Sequence, residues 1–245
     1  MVSIPSSRHF SRTGEVIIEQ FIDGQELEVD SVVLHGEVQL LMHADLESFE
    51  DVFASTTRLY PSVQERSVLR RLTAMDKEII ESFGLTQGLT HNEYMLDREG
   101  RIHLLEVAAR GGGTHISTSI AYLQTGLDTP EFLLRAALGE LKEIPPFERE
   151  LCHSGYVAFY IPHGRVISVD GMEEVKALPF VAQTTMDSIY PGMEAASFSD
   201  KRSRHAVILS GESREQMNER IEQIREMLHI EVETPEGERR GLIWA

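Results

Sequence analysis

The segment 88–113, GLTHNEYMLDREGRIHLLEVAARGGG, constrains the fold of this chain more than any other stretch. It reads as two strands, His91–Leu96 and Arg101–Val107. Asp97-Arg98-Glu99-Gly100 closes them, with the glycine free to take the positive φ of a tight turn. One carboxylate interrupts each apolar run, Glu93 in the first strand and Glu106 in the second. A charge on a half-buried strand is costly unless something pairs with it. A hairpin can set two such carboxylates side by side. A hard divalent cation, Mg²⁺ or Mn²⁺, then relieves both repulsion and desolvation, as Mg²⁺ does on one or two carboxylates plus substrate phosphates. Leu104, Leu105 and Val107 crowd Glu106 and argue against a plain surface position. Arg110 follows with Gly111, Gly112 and Gly113, a bidentate oxyanion clamp beside backbone that can approach a ligand closely. The alternative is an alternating hairpin with both glutamates on its solvent face, a surface arginine and a flexible turn. The joint order of these features favours the ligand-binding reading.

That order resembles the carboxy-terminal half of the ATP-grasp fold. In that family two adjacent antiparallel strands each give an acidic metal ligand, and the second ends in a motif like Glu-x-Asn-x-Arg before a glycine-containing substrate loop. Here the motif reads Glu106-Val107-Ala108-Ala109-Arg110. The resemblance implies that Glu93 and Glu106 hold the metal and that Arg110 steadies the transferring phosphate or acyl phosphate. Ala108 stands where the family has its asparagine, which removes one ligand from a second Mg²⁺ site. A small residue there, followed by a glycine-rich loop, is most similar to the amino-acid ligase branch.

Residues 15–33, EVIIEQFIDGQELEVDSVV, extend the resemblance. Val16-Ile17-Ile18 reads as a short strand and Asp23-Gly24 as a turn; alternation resumes through Leu27, Val29, Ser31 and Val33. The pattern looks like the family's adenine strand, an acidic residue, an aromatic and then Gly-x-Glu. By that resemblance Glu19 and the backbone of Gln20, Phe21 and Ile22 line the adenine pocket, and Glu26 accepts hydrogen bonds from ribose hydroxyls. A carboxylate suits that task because it only accepts. An ordinary hairpin with Glu19 and Glu26 in solvent is the alternative.

The implied chemistry is ATP- and Mg²⁺-dependent ligation of a carboxylate to an amine or thiol through an acyl phosphate, with Gly111, Gly112, Gly113 and His115 shaping the acid pocket. His115 reads equally well as a structural histidine. The resemblance covers residues 14 to about 140. The family's amino-terminal domain and its lysine-bearing phosphate subdomain have no counterpart before Glu19, so the chain reads as the back half of a larger enzyme. A truncated product, a split-gene subunit with an amino-terminal partner or self-association, and a relic all fit. A noncatalytic nucleotide- or metal-binding subunit and a plain structural protein stay open as other classes.

Composition sets outer bounds. With 41% apolar residues over 245 positions the chain can bury a core. It has no apolar run long enough to span a bilayer and no signal-peptide pattern. The single cysteine, Cys152, fits a reducing, cytoplasmic setting and reads as a packed thiol. A formal charge of −17 argues against nucleic acid and anionic membrane as partners.

The expected fold is α+β: an antiparallel sheet with flanking helices over residues 1–140, then a smaller α+β module over 151–245, divided by the charged, proline-bearing stretch 140–150. Val38–Met42 reads as a strand, residues 43–60 as a loop with 48–53 helical, and Pro61–Phe83 as a helix ended by Gly84. Thr114–Leu123 and Thr129–Leu138 read as helices, the second capped by Thr129. Beyond the divide, strands at 155–161, 165–169, 181–189 and 206–210 precede a helix at 213–228, and residues 233–240 read as a loop.

Overall fold

The computed structural model describes residues 13, 15, 17–48, 55–196 and 203–244, with Ser55 described by its backbone alone. The expected mixture of antiparallel sheet and flanking helices is what forms. β1 (Gly24–Leu34), β2 (Glu37–Ser48), β3 (Ser55–Tyr60), β4 (Gln87–Asp97) and β5 (Ile102–Glu106) make up the first part of the sheet. Helix α1 (Arg66–Ser82) links β3 to β4. A π-helical turn (Ile116–Ile120) runs into α2 (Ala121–Thr125), and α3 (Thr129–Ala137) follows. Beyond residue 150 come β6 (His153–Tyr160), β7 (Gly164–Asp170), α4 (Met172–Lys176), β8 (Val181–Thr184), β9 (Glu194–Ala195), β10 (Arg204–Gly211), α5 (Arg214–Met227), β11 (His229–Glu233) and β12 (Arg239–Arg240).

Eight strands form one sheet in the order β5-β4-β1-β2-β3-β6-β10-β8, and four form a second in the order β12-β11-β7-β9. Every pairing in the large sheet is antiparallel. Three of its strands come from beyond residue 150, so the sheet passes without a break through both parts of the chain.

The two faces of this sheet bury different cores. On one, Leu27, Val29 and Tyr94 pack against Leu72 of α1, and Val157, Phe159, Val207 and Leu209 pack against Met217, Ile221 and Ile224 of α5. On the other, Val32, Leu34, Tyr60, Tyr156, Ala158, Ala206 and Ile208 receive Ile116, Ile120, Ala121 and Phe132 from the π-turn, α2 and α3. Covered on both sides, β1 is buried at every position from Leu27 to Leu34. The alternation seen in its sequence therefore separates two buried faces, not a buried from a wet one.

Several local expectations change. Residues 17–23 are irregular chain, and β1 starts at Gly24 with no turn there; Val16 lies outside the described residues. Residues 43–48 and 55–60 are strand, because β2 and β3 pair with each other, and the expected helix at 48–53 falls on strand at Ser48 and otherwise outside the described residues. Helix α1 starts five residues after Pro61 and ends at Ser82, with Phe83 as its C-cap and Gly84 beyond at φ +66°. The N-cap of α3 is Asp128, whose side chain accepts from the Glu131 N–H, not Thr129. The strand read over 181–189 stops at Thr184, and the loop read over 233–240 holds β12.

Candidate active site

The turn between β4 and β5 forms as its chemistry predicts. Asp97 accepts from the backbone N–H of Glu99 (3.0 Å) and Arg101 (2.8 Å) and from the side chains of Arg101 and His103. This places Glu93 directly opposite Glu106 across the two strands, with an irregularity just after Glu93. Residues opposed in an antiparallel pair share a face, with Cβ atoms about 5 Å apart. The two carboxylates differ in setting. Glu93 is largely covered and accepts from Arg58 Nη2 at 3.1 Å. Glu106 is 55% exposed and accepts from Arg110 Nη2 at 3.2 Å. The apolar residues around Glu106 do not bury it, because β5 is an edge strand whose Leu104 and Leu105 are themselves exposed.

Register assigns the rest of this face. Glu28 of β1 lies opposite Glu93, and Asp30 opposite His91. Glu26, two residues before Glu28, shares their side of the strand. Arg58 lies opposite Leu46 on β2 and Tyr156 on β6. The outcome is a buried ionic cluster that sequence reading missed. Arg58 Nη1 lies 2.7 Å from Glu28 Oε2. His91 Nδ1 lies 2.9 Å from Asp30 and 3.1 Å from Glu28, and its Nε2 lies 3.2 Å from Arg58 Nη1. The Tyr60 hydroxyl donates to Glu28 and, at 3.3 Å, to Asp30.

Electrostatics distribute charge unevenly here. Burial would raise the Glu28 carboxyl, but Arg58 and then His91 outweigh it and bring the pKa down to about 2. Burial and the neighbouring Glu28 charge push Asp30 up to about 7 against the pull of His91. Burial would lower His91, yet the two carboxylates raise it. Burial, then the Glu93 charge, also raise Glu26. Donor atoms of Glu28, Asp30 and His91 lie within 4.8 Å of one another, close enough for a metal. Arg58 and Tyr60 already engage those carboxylates, so the protein's own groups close that cluster. The Glu93–Glu106 pair suits a hard cation better: two oxygen ligands at the rim, one of them well exposed.

The glycine loop lies on the same face. A Cβ on Gly112 would sit 2.7 Å from His91 Nδ1 and 2.9 Å from Ile116 Cβ, and one on Gly111 would sit 2.5 Å from Ser117 Cβ. Gly113 has open space. Close packing therefore requires the first two glycines. Positive φ falls instead on Thr114 (49°) and His115 (60°), side chains that rarely adopt it. The loop ends in the π-turn, not in the helix expected from Thr114.

The expected site residues are thus partly gathered. Glu26, Glu93 and the Gly111–Gly113 loop lie on one face of the sheet, with Glu106 and Arg110 at its β5 edge. Glu19, Gln20 and Phe21 are exposed and Ile22 is half-buried, all in irregular chain leading to β1. His115 N-caps the π-turn through its backbone. Arg58 and Tyr60 lie in a stretch that reads as loop, and nothing local in it marks them. Cys152 is a half-buried thiol donating to the Leu123 carbonyl (3.4 Å), and burial raises its pKa.

Comparison with known proteins supplies an independent view. Residues 5–119 match the ATP-grasp domain, and residues 157–233 match the L-amino acid ligase C-terminal domain 2. No curated protein matches the chain. Among solved structures, an L-amino acid ligase from Bacillus licheniformis is similar with a TM-score of 0.78 at 23% identity, over 86% of this chain and 52% of that one. Phosphoribosylglycinamide synthetase from Anaerococcus prevotii gives 0.72 at 13% identity, over 92% and 58%. Biotin carboxylase from Campylobacter jejuni gives 0.66 at 14%, over 91% and 48%. The chain spans about half the length of these structures. Among the described residues no helix is long and apolar enough to cross a membrane.

Proposed function

Since this chain belongs to the ATP-grasp superfamily, with an L-amino acid ligase C-terminal domain 2 in its second part, we propose that it is the carboxy-terminal portion of an ATP- and Mg²⁺-dependent carboxylate–amine ligase. One observation carries the reading: Glu93 and Glu106 face each other across β4 and β5, and Arg110 is held on Glu106. The two glutamates hold Mg²⁺ or Mn²⁺. A bound cation offsets charge at the β- and γ-phosphates. Glu26 receives the ribose hydroxyls, and residues Glu19–Ile22 border the adenine.

In this scheme a substrate carboxylate oxygen attacks the γ-phosphorus of ATP, and ADP leaves. An amine nitrogen then attacks the acyl carbon, phosphate departs with the bonding pair, and the nitrogen loses a proton. Arg110 is placed to hold the oxyanions of the acyl phosphate, and the backbone of Gly111–Gly113 shapes the acid pocket. Positioning supplies most of the rate, as in phosphoryl transfer generally.

Turnover requires an amino-terminal ATP-grasp half. Ile17 is 88% exposed, Ile18 77% and Phe21 70%, an apolar strip beside the adenine position that such a half would cover. A noncatalytic nucleotide- or metal-binding subunit is the second reading, favoured by the arginine already seated on each metal-site carboxylate.

Calorimetric titration of Mn²⁺, with and without a nonhydrolysable ATP analogue, tests the site. Glu106→Gln weakens Mn²⁺ about tenfold or more, because half of the anionic ligand set is lost. Equal affinity in wild type and variant removes the metal assignment. ATP hydrolysis with a panel of carboxylic acids and amines, run with and without the front half of an L-amino acid ligase, separates the catalytic from the noncatalytic reading.

A further inference from the structure

The second part of the chain reaches into the glycine loop at one point. Arg204, the first residue of β10, donates from Nη1 to Thr114 Oγ1 at 3.0 Å, 90 residues away in sequence. It also donates to the Tyr160 hydroxyl. Its guanidinium carbon lies 4.9 Å from the centroid of the Tyr156 ring. The Arg58 guanidinium carbon lies 5.9 Å from the centroid of that same ring, and its Nη2 lies 3.1 Å from Glu93 Oε1. Register accounts for this convergence: Arg204 lies opposite Tyr160, and Tyr156 opposite Arg58, on the face of the sheet that carries Glu93. One line of contacts therefore runs from the metal pair through Arg58 and Tyr156 to Arg204 and the loop.

Three features mark Arg204 as more than a packing residue. Among the described residues its hydrogen-bond partners are neutral hydroxyls and no carboxylate forms an ion pair with it, whereas Arg58, Arg101, Arg110 and Arg214 are each so paired. A guanidinium has five N–H donors in a planar fork matched to carboxylate and phosphate oxygens. The loop residue it grips is Thr114, a β-branched residue at φ +49°, a conformation that persists where surrounding contacts hold it. In a chain of formal charge −17, an anionic substrate must rely on such local cations.

We propose that Arg204 is the specificity-determining anion receptor of the acid-substrate pocket, docked on Thr114 and stacked on Tyr156 beside the glycine loop. The assignment rests on the ligase reading of the Glu93–Glu106 site and adds to it a residue from the L-amino acid ligase C-terminal domain 2 side of the chain. The ligand class is an oxyanion on carbon or phosphorus, the carboxylate of the acid or the phosphate of its acyl phosphate.

The test uses the whole 245-residue chain and inorganic phosphate as the probe, titrated by calorimetry. Wild type binds phosphate, and Arg204→Gln weakens it about tenfold, the loss of one charge-assisted contact. Arg204→Lys recovers part of the loss because the charge returns without the fork. Thr114→Val, which keeps the charge and removes the anchor, weakens binding by a smaller factor. Mn²⁺ affinity at Glu93 and Glu106 stays within about twofold in all three variants. Phosphate binding equal in wild type and Arg204→Gln, or absent from wild type, overturns the proposal. Failure of Mn²⁺ to bind wild type overturns the ligase reading instead, so the two outcomes are distinct. Hydrogen exchange over residues 111–117 guards against misfolding: rapid exchange in β1 and β4 of Arg204→Gln as well would assign the residue a structural role and count against the proposal.

Discussion

At the scale of single residues, burial decides which polar groups matter. His43 on β2 is buried against Thr73 of α1, its Nε2 2.8 Å from the threonine hydroxyl. Burial, then the charge of Arg149, depress its pKa from 6.5 to about 4. An unfolded histidine gains its proton near pH 6.5, while the folded one resists down to about 4. Its contribution is therefore complete above pH 6.5 and is lost as pH falls towards 4, by up to about 3 kcal/mol. Urea unfolding at several pH values shows wild type weakening across that interval and His43→Gln weakening distinctly less. The loop glycines make a second residue-scale prediction. Gly112→Ala meets His91 and Ile116 and costs about 1–3 kcal/mol, whereas Gly113→Ala points into open space and stays within about 0.5 kcal/mol. Equal unfolding midpoints for the two variants would contradict the close packing of the loop on His91.

Between elements, buried polar contacts fix how helix and sheet meet. Asp76 of α1 is buried and accepts from Ser31 on β1 (3.1 Å) and from Asn92 (2.7 Å) and Tyr94 (2.8 Å) on β4. Asn92 in turn accepts from the Ala108 N–H, which ties the same helix to the chain just past Glu106. Asp76→Ala strands three buried donors and costs about 3 kcal/mol or more. Asp76→Asn keeps part of the acceptor capacity and costs less. Denaturation curves for the pair check the order, and Mn²⁺ titration of Asp76→Asn shows whether the tie reaches the metal strands. The helix itself is legible in the sequence, since its apolar stripe supplies Leu72 and Ile80 to the core. Its start is not, because Val63 matches the stripe yet lies exposed ahead of the first turn.

For the whole molecule, the eight-stranded sheet matters more than the charged stretch at 140–150. Strands β3 and β6 pair across that stretch. Arg214 at the start of α5 bonds Asp45 (2.9 Å) and the Pro61 carbonyl (2.7 Å). Trp244, the chain's one tryptophan, packs on Phe159 of β6 with ring centroids 5.1 Å apart. Its fluorescence reports on the later part of the chain, and far-UV circular dichroism on all of it. The two signals are expected to trace one transition in urea, as a single cooperative unit requires. Midpoints that separate would mean that the shared sheet does not couple the two parts.

What the sequence by itself determined is local. The β4–β5 hairpin, its Asp97–Gly100 turn, the opposed Glu93 and Glu106 and the arginine after them follow from turn chemistry and a period of two over neighbouring residues. The helix read over 213–228 likewise forms from its own segment, as Arg214–Met227. Only the tertiary structure decided which residues stand beside that hairpin. Glu28 and Asp30 alternate with Leu27 and Val29 just as solvent-facing residues would, and only the cover on both faces of β1 turns them into a buried ionic cluster. Arg58 and Arg204 come from strands β3 and β10 and meet on one tyrosine of β6 because these three strands align in register, a coincidence of distant segments that no local pattern encodes.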